Sequence, residues 1–194
     1  MIRDDIQAYR PCNAQEARDK ALILSFISNN PDAFFRTNPV AHMTASAWVV
    51  NRERTKLLMV YHSLYDSWSW TGGHADGDED LLAVAMRELC EETGVRHARP
   101  ISRDIFSLEV LTVDGHEKRG EYVSSHLHLN VTYLIEANES DALTVCQAEN
   151  RGVQWFTLDG ALAASSEPWF VARIYKKLND KLRLIKGDFD ACNS

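Results

Sequence analysis

Three carboxylates, Glu88, Glu91 and Glu92, stand three and four residues apart within the stretch from Gly72 to Val95. On a helix this spacing turns all three into one sector. Like charges so placed destabilise a helix by about a few tenths of a kcal/mol each. Glu91 and Glu92 also fall in the last turn, where the helix dipole disfavours anions. A divalent cation relieves both penalties, and ligation by oxygen alone suits magnesium, manganese or calcium rather than zinc. The plainer alternative is a solvated acidic face.

The element that must carry these groups is a helix, expected over Glu79 to Thr93. Leu82, Ala85, Met86 and Leu89 form its apolar stripe and face a core. Cys90, on the edge of that stripe, reads as a small core residue. Arg87 lies four residues before Glu91 and is placed to pair with it. Gly72 and Gly73 precede the helix, and Gly94 supplies its C-terminal cap.

With these residues in view, the stretch resembles the Nudix box: glycine, five residues, Glu, seven residues, then Arg-Glu-apolar-any-Glu-Glu-any-Gly-apolar. Gly73, Glu79, Arg87, Glu88, Leu89, Glu91, Glu92, Gly94 and Val95 fill its nine fixed positions. The box covers Gly73 to Val95, and a looser likeness runs from about His42 to Phe156. The resemblance implies a Nudix-type αβα sandwich with a mixed β-sheet, plus N-terminal and C-terminal helices. It divides the chain into a helical extension over residues 1–40, packed on the domain, and a Nudix hydrolase domain over 41–194 that includes the C-terminal helix.

The implied activity is divalent-metal-dependent hydrolysis of a diphosphate linkage in a nucleoside diphosphate joined to another moiety, by metal-activated water attack on phosphorus. The alternative is a non-catalytic, nucleotide-binding regulatory module of the same fold. By similarity to the family, Glu88, Glu91 and Glu92 are the metal ligands for Mg2+ or Mn2+, with the Gly73 carbonyl as an extra one. Glu88 either ligates or acts as base. Arg87 orients the carboxylates, and Glu79 stabilises the turn into the helix. A further acidic residue beyond the box is a family habit. Glu149 is the candidate, with Glu121 behind it and a surface-loop glutamate as the competing reading. Thr71 departs from the family pattern, where proline is common. His74 follows the glycines where a basic residue is common, and either contacts phosphate or caps the loop. Tyr65 and Trp68, in an aromatic loop from His62 to Trp70, are candidate substrate contacts that stack on a nucleobase. Trp70 reads as core.

The 194 residues suit one elaborated domain, and 45% apolar and 25% charged residues are ordinary for a soluble protein. A formal net charge of −7 gives no general attraction to nucleic acid or anionic lipid. The expected partner is therefore a small nucleotide derivative, with no nucleic acid and no membrane, and homodimer formation is left open. Cys12, Cys90, Cys146 and Cys192 match no zinc or redox spacing. With no leader-like segment, a cytoplasmic location is expected. The sequons at Asn130 and Asn138 then read as chance matches.

Further along, Asn13 and Glu16 form a capping box for a first helix whose apolar face is Ala17, Ala21, Leu22, Leu24 and Ile27. Ala45–Asn51 and Lys56–His62 read as a hairpin. Ile105–Val113 reads as a strand and Asp114–Ser125 as a polar loop. In His126–Ala137, Leu127, Leu129, Val131 and Tyr133 alternate against His126 and His128. Two histidines at strand spacing suit a metal, though a half-exposed strand face is the commoner explanation. Val153–Phe156 is a short strand, Asp159 caps a brief helix, and Pro168 opens the last helix, which runs to about Leu184.

Overall fold

The structure, a computed structural model, describes residues 2–118, 120–147 and 150–192, with side chains up to residue 185 in the last helix. The chain forms two compact units. Strand β1 (Ala41–Val50), helix α3 (Leu81–Thr93) and strand β9 (His126–Ala137) each contribute residues to both.

The first unit comprises Met1–Ala47, Gly72–Glu88 and Ser102–Tyr133. It begins with α1 (Ile2–Ala8) and α2 (Ala14–Asn29). Asn13 caps α2 as expected, its side-chain oxygen accepting the Glu16 N–H at 2.9 Å. The face that α2 buries is not the expected one. Glu16 and Ile23 are buried, whereas Leu22 is 43% exposed. The reason is polar. The buried Glu16 carboxylate accepts from the Cys12 N–H at 2.8 Å, the Tyr9 hydroxyl at 2.6 Å and the Ser107 hydroxyl at 2.8 Å. Asp19 accepts the Val110 N–H at 3.2 Å. Those bonds fix the side of α2 that carries Glu16, Asp19 and Ile23 against strand β6 (Ser107–Val113), so hydrogen-bonding satisfaction outranks the apolar stripe.

In the same unit, β1 pairs with β4 (Thr71–His74) and with β9, and β9 pairs with β6. The β6–β9 ladder is antiparallel, with Val110 opposite Leu129. All ten residues of β1 are buried, so its early half, Ala41–Thr44, carries no alternation to read. Asn130 is buried, accepting the Thr44 and Ser46 hydroxyls at 3.0 and 2.9 Å, which rules out its sequon as an accessible acceptor. The expected polar loop holds a small hairpin, β7 (His116–Lys118) with β8 (Glu121–Val123).

The second unit comprises Trp48–Thr71, Leu89–Ile101 and Leu134–Ser194. Here β2 (Lys56–His62) pairs antiparallel with β1, β3 (Ser67–Ser69) and β10 (Asn150–Thr157), while β5 (Ala98–Pro100) pairs with the end of β9. The aromatic stretch is thus partly a strand. Helix α4 (Leu158–Ala164) is capped by Thr157, whose hydroxyl accepts the Gly160 N–H at 3.0 Å, with Asp159 two positions too late to cap. Pro168 does open the last helical run: α5 (Pro168–Phe170), a π-helical turn (Val171–Tyr175) and α6 (Lys176–Cys192). That turn buries Tyr175, which stacks on Trp48 with centroids 5.4 Å apart, and Trp70 meets both rings edge-on. Trp70 is therefore a packing residue, as the sequence suggested.

Candidate active site

Helix α3 starts at Leu81, two residues later than the spacing suggested, because Asp80 is its cap. The Asp80 carboxylate accepts the Ala83 N–H at 3.0 Å, which fixes Asp80 in the cap position and leaves Glu79 outside the helix, exposed. Leu81, Leu82, Val84, Ala85 and Leu89 are buried. Cys90 is exposed rather than core, since it lies off that stripe. At the far end, Gly94 takes φ +74° and donates its N–H to the Cys90 carbonyl at 2.9 Å, the left-handed termination expected of this glycine.

The paired glycines are required by close approach. A side chain at Gly72 would put its Cβ 2.6 Å from the Ala45 carbonyl oxygen of β1. At Gly73 a Cβ would lie 2.3 Å from the carboxyl carbon of Glu88 and within 2.6 Å of both its oxygens. The Glu88 carboxylate thus occupies the space that any other residue at 73 would fill. Arg87 flanks it, its Nη2 donating to Glu88 Oε1 at 3.3 Å and its Nη1 lying 3.8 Å from Asp78. The guanidinium thus engages Glu88 and Asp78. In the second unit the helix continues with Glu91 exposed and Glu92 only 3% exposed, and the Glu92 carbonyl accepts the Asn150 side-chain N–H at 2.9 Å.

The other candidates fall in different settings. Glu149 lies outside the described residues. Glu121 stands exposed on β8. Tyr65 is 41% exposed, with its ring 4.6 Å from that of His62. Trp68, half-buried on β3, meets Tyr61 and Phe156 edge-on at 5.4 and 4.9 Å and stands close to Gly152. A cavity of about 370 Å³ in the second unit, lined by Arg54, Thr157, Asp159 and Arg183 among others, includes no residue of the Gly73–Val95 stretch.

His74 was read as either a phosphate contact or a cap for the loop. It sits in a group of imidazoles with His42, His126 and His128. Ring centroids are 5.0 Å apart for His42–His74, 5.1 Å for His42–His128 and 4.9 Å for His74–His128. Burial, reinforced by the Arg36 guanidinium, holds His74 down to about 3, and burial with the neighbouring imidazoles holds His128 down to about 2. Burial also lowers His42. For His42, His74 and His128, burial therefore favours the neutral ring. The signal for this group was only half visible. His126 and His128 share a strand face, but His42 and His74 join them only through the pairing of β1 with β4 and β9.

The NUDIX domain family model matches residues 40–178 of this chain. A probable DHNTP pyrophosphohydrolase of Lactococcus lactis subsp. cremoris is 28% identical over 115 residues, which cover 59% of this chain and 66% of that relative. The chain thus spans just under two thirds of that curated relative's length. Among solved structures, a binary complex of the C. elegans Ap4A hydrolase superposes with a TM-score of 0.52 at 18% identity, covering 77% of this chain and 98% of that one. This likeness is one of fold. No helix among the described residues is long and apolar enough to cross a membrane.

Proposed function

Because the chain belongs to the NUDIX domain family, we propose that it is a divalent-metal-dependent pyrophosphohydrolase, acting on a nucleoside diphosphate linked to another moiety. It is a Nudix hydrolase of phosphoric anhydride bonds. The observation that carries this reading is the seating of the Glu88 carboxylate against Gly73, on the helix that also bears Glu91 and Glu92. The donor set fits the cation: carboxylate oxygens are what Mg2+ or Mn2+ requires, and the glycine leaves one of those carboxylates its room. When bound, the cation neutralises phosphate charge and lowers the pKa of a coordinated water.

The protein's own part is positioning. Glu91 and Glu92 are the principal ligands, Glu88 is the third, and the Gly73 carbonyl is an added one. Arg87, paired with Glu88 and near Asp78, fixes the rotamer of Glu88 and keeps its oxygens aimed. Glu149 accepts the proton of the attacking water. Tyr65, 41% exposed, is the stacking platform for the substrate's non-phosphate end, and Trp68 packs within the β2–β3 pair. The likeness to the probable DHNTP pyrophosphohydrolase of Lactococcus lactis supports the bond class.

The test is phosphate release from a panel of nucleoside diphosphate derivatives with Mg2+ or Mn2+, and with chelator. Release that needs the metal is the expected result. Nucleotide binding without turnover across the panel would overturn it in favour of a regulatory module.

A further inference from the structure

Four histidines converge in the first unit, and the hydrolase reading uses none of them as ligands. His42 lies on β1, His74 ends β4, and His126 and His128 share one face of β9. The nearest ligand atoms of His42, His74 and His128 lie within 4.8 Å of one another. His42 is only 3% exposed, and its Nε2 has no hydrogen-bond partner among the described residues. A buried ring nitrogen left this way is unfavourable unless something occupies it.

We propose that His42, His74 and His128 form a second metal site, which takes a borderline transition-metal dication of the Zn2+ type. Imidazole nitrogens suit zinc, cobalt, nickel or iron, whereas the carboxylates of α3 suit Mg2+ or Mn2+, so the two sites select by donor chemistry.

The backbone sets the tautomers. His42 Nδ1 lies 3.2 Å from the Asn38 carbonyl oxygen, and His126 Nδ1 lies 2.8 Å from that of Ser124. A carbonyl only accepts, so each Nδ1 carries the proton and each Nε2 presents a lone pair. This is the outer arrangement that metal-bound histidines adopt. The His126 lone pair then faces His128 Nε2 at 3.3 Å. Two nitrogens on one tetrahedral ion, with bonds of about 2.0–2.1 Å, stand roughly 3.3–3.4 Å apart. The triad is wider than this, so its rings must draw inward on binding, with His126 at the border. Arg36 is the unfavourable neighbour, and its ion pair with Asp76 offsets its charge; Lys118 lies beyond it. A purely structural stack of imidazoles accounts for the ring contacts, but it leaves His42 Nε2 unsatisfied.

The experiment uses the full chain, stripped with chelator and titrated with Co2+ alone. The site predicts one equivalent bound with the strong visible absorption of nitrogen-ligated, low-coordinate cobalt, displaced by Zn2+. Zn2+ at a hundredfold excess over its dissociation constant should raise the melting temperature by about 5–10 °C. The signal should survive in Glu91→Gln and Glu92→Gln, and weaken about tenfold or more in His42→Gln, His74→Gln and His128→Gln. If a histidine variant does not fold, NMR of the wild type decides. Cobalt-shifted imidazole resonances support the site, and unshifted ones overturn it. No visible absorption in the wild type overturns it too, as does a signal lost in Glu91→Gln and kept in the histidine variants. Neither result bears on phosphate release with Mg2+.

Discussion

Gly73 and His74 are neighbours in the chain but belong to opposite kinds of chemistry. Gly73 yields its side-chain space to the Glu88 carboxylate, on a helix whose Glu91 is exposed to water. His74 joins buried rings, and burial favours the neutral form of His74 and His128. One region gathers carboxylate oxygens, the donors of a hard cation, while the other gathers imidazole nitrogens. The first is built by helical spacing within the Gly73–Val95 stretch. The second is built by strand pairing that gathers His42, His74 and His128 from β1, β4 and β9. Local spacing can be read from a sequence, and cross-strand assembly can be read only when register is known.

The largest effect should come from the helix. Glu91→Gln or Glu92→Gln should lower turnover by about two orders of magnitude or more, equivalent to roughly 2.7 kcal/mol or more of transition-state stabilisation. Chelated Glu91→Gln should keep or slightly raise its melting temperature, because like-charge repulsion on the helix is relieved. Near-normal turnover in both variants would remove these residues from the site.

Gly73→Ala comes next. Its Cβ would collide with the end of the Glu88 side chain, which can swing away. The expected result is a turnover loss of about tenfold with the fold retained. Normal activity would show that the position of Glu88 against Gly73 does not matter.

The helix, its C-cap, β2 and β9 were legible because each depends on neighbours in sequence: apolar spacing, a glycine at φ +74°, alternation over a strand. The inner face of α2 was not, because a hydrogen-bonded Glu16 reversed the apolar prediction. Nor was β3. Its three residues pair with β2 through Tyr61 opposite Trp68, a contact whose register the sequence does not state. In the candidate site the carboxylates were legible from spacing. The approach of Arg87 to Asp78 and the imidazole group were not, since they depend on which side chains fold back together.

That unread register separates two aromatic residues. Trp68 meets Tyr61 and Phe156, so Trp68→Ala should cost about 2 kcal/mol and lower the melting temperature by about 4–8 °C. Tyr65 is exposed, so Tyr65→Ala should leave melting unchanged and raise KM about fivefold to tenfold with kcat nearly intact. If Trp68→Ala raises KM and spares stability, the roles assigned to the two rings are reversed.

The smallest effect is a control on what counts as an available carboxylate. Asp141 lies in the second unit, with the residues that follow α3. It accepts the His97 N–H at 2.8 Å, pairs with His97 Nδ1 at 2.8 Å, and accepts the Arg96 N–H at 2.9 Å. The backbone bond from His97 is the largest influence, and together these bonds hold the Asp141 carboxyl down to about 2, against an ordinary 3.8. Between those values the unfolded chain binds a proton that the folded chain does not. The stabilisation is therefore complete above the ordinary value and is lost as pH falls from there towards 2. Melting curves of chelated wild type and Asp141→Asn, taken from neutral pH downwards, should show a gap that is constant near neutrality and closes through this acid window. Parallel curves down to the lowest pH would mean that the protein does not hold the Asp141 charge through these bonds. Asp141 could then no longer serve as the satisfied counterpart of the carboxylates on α3.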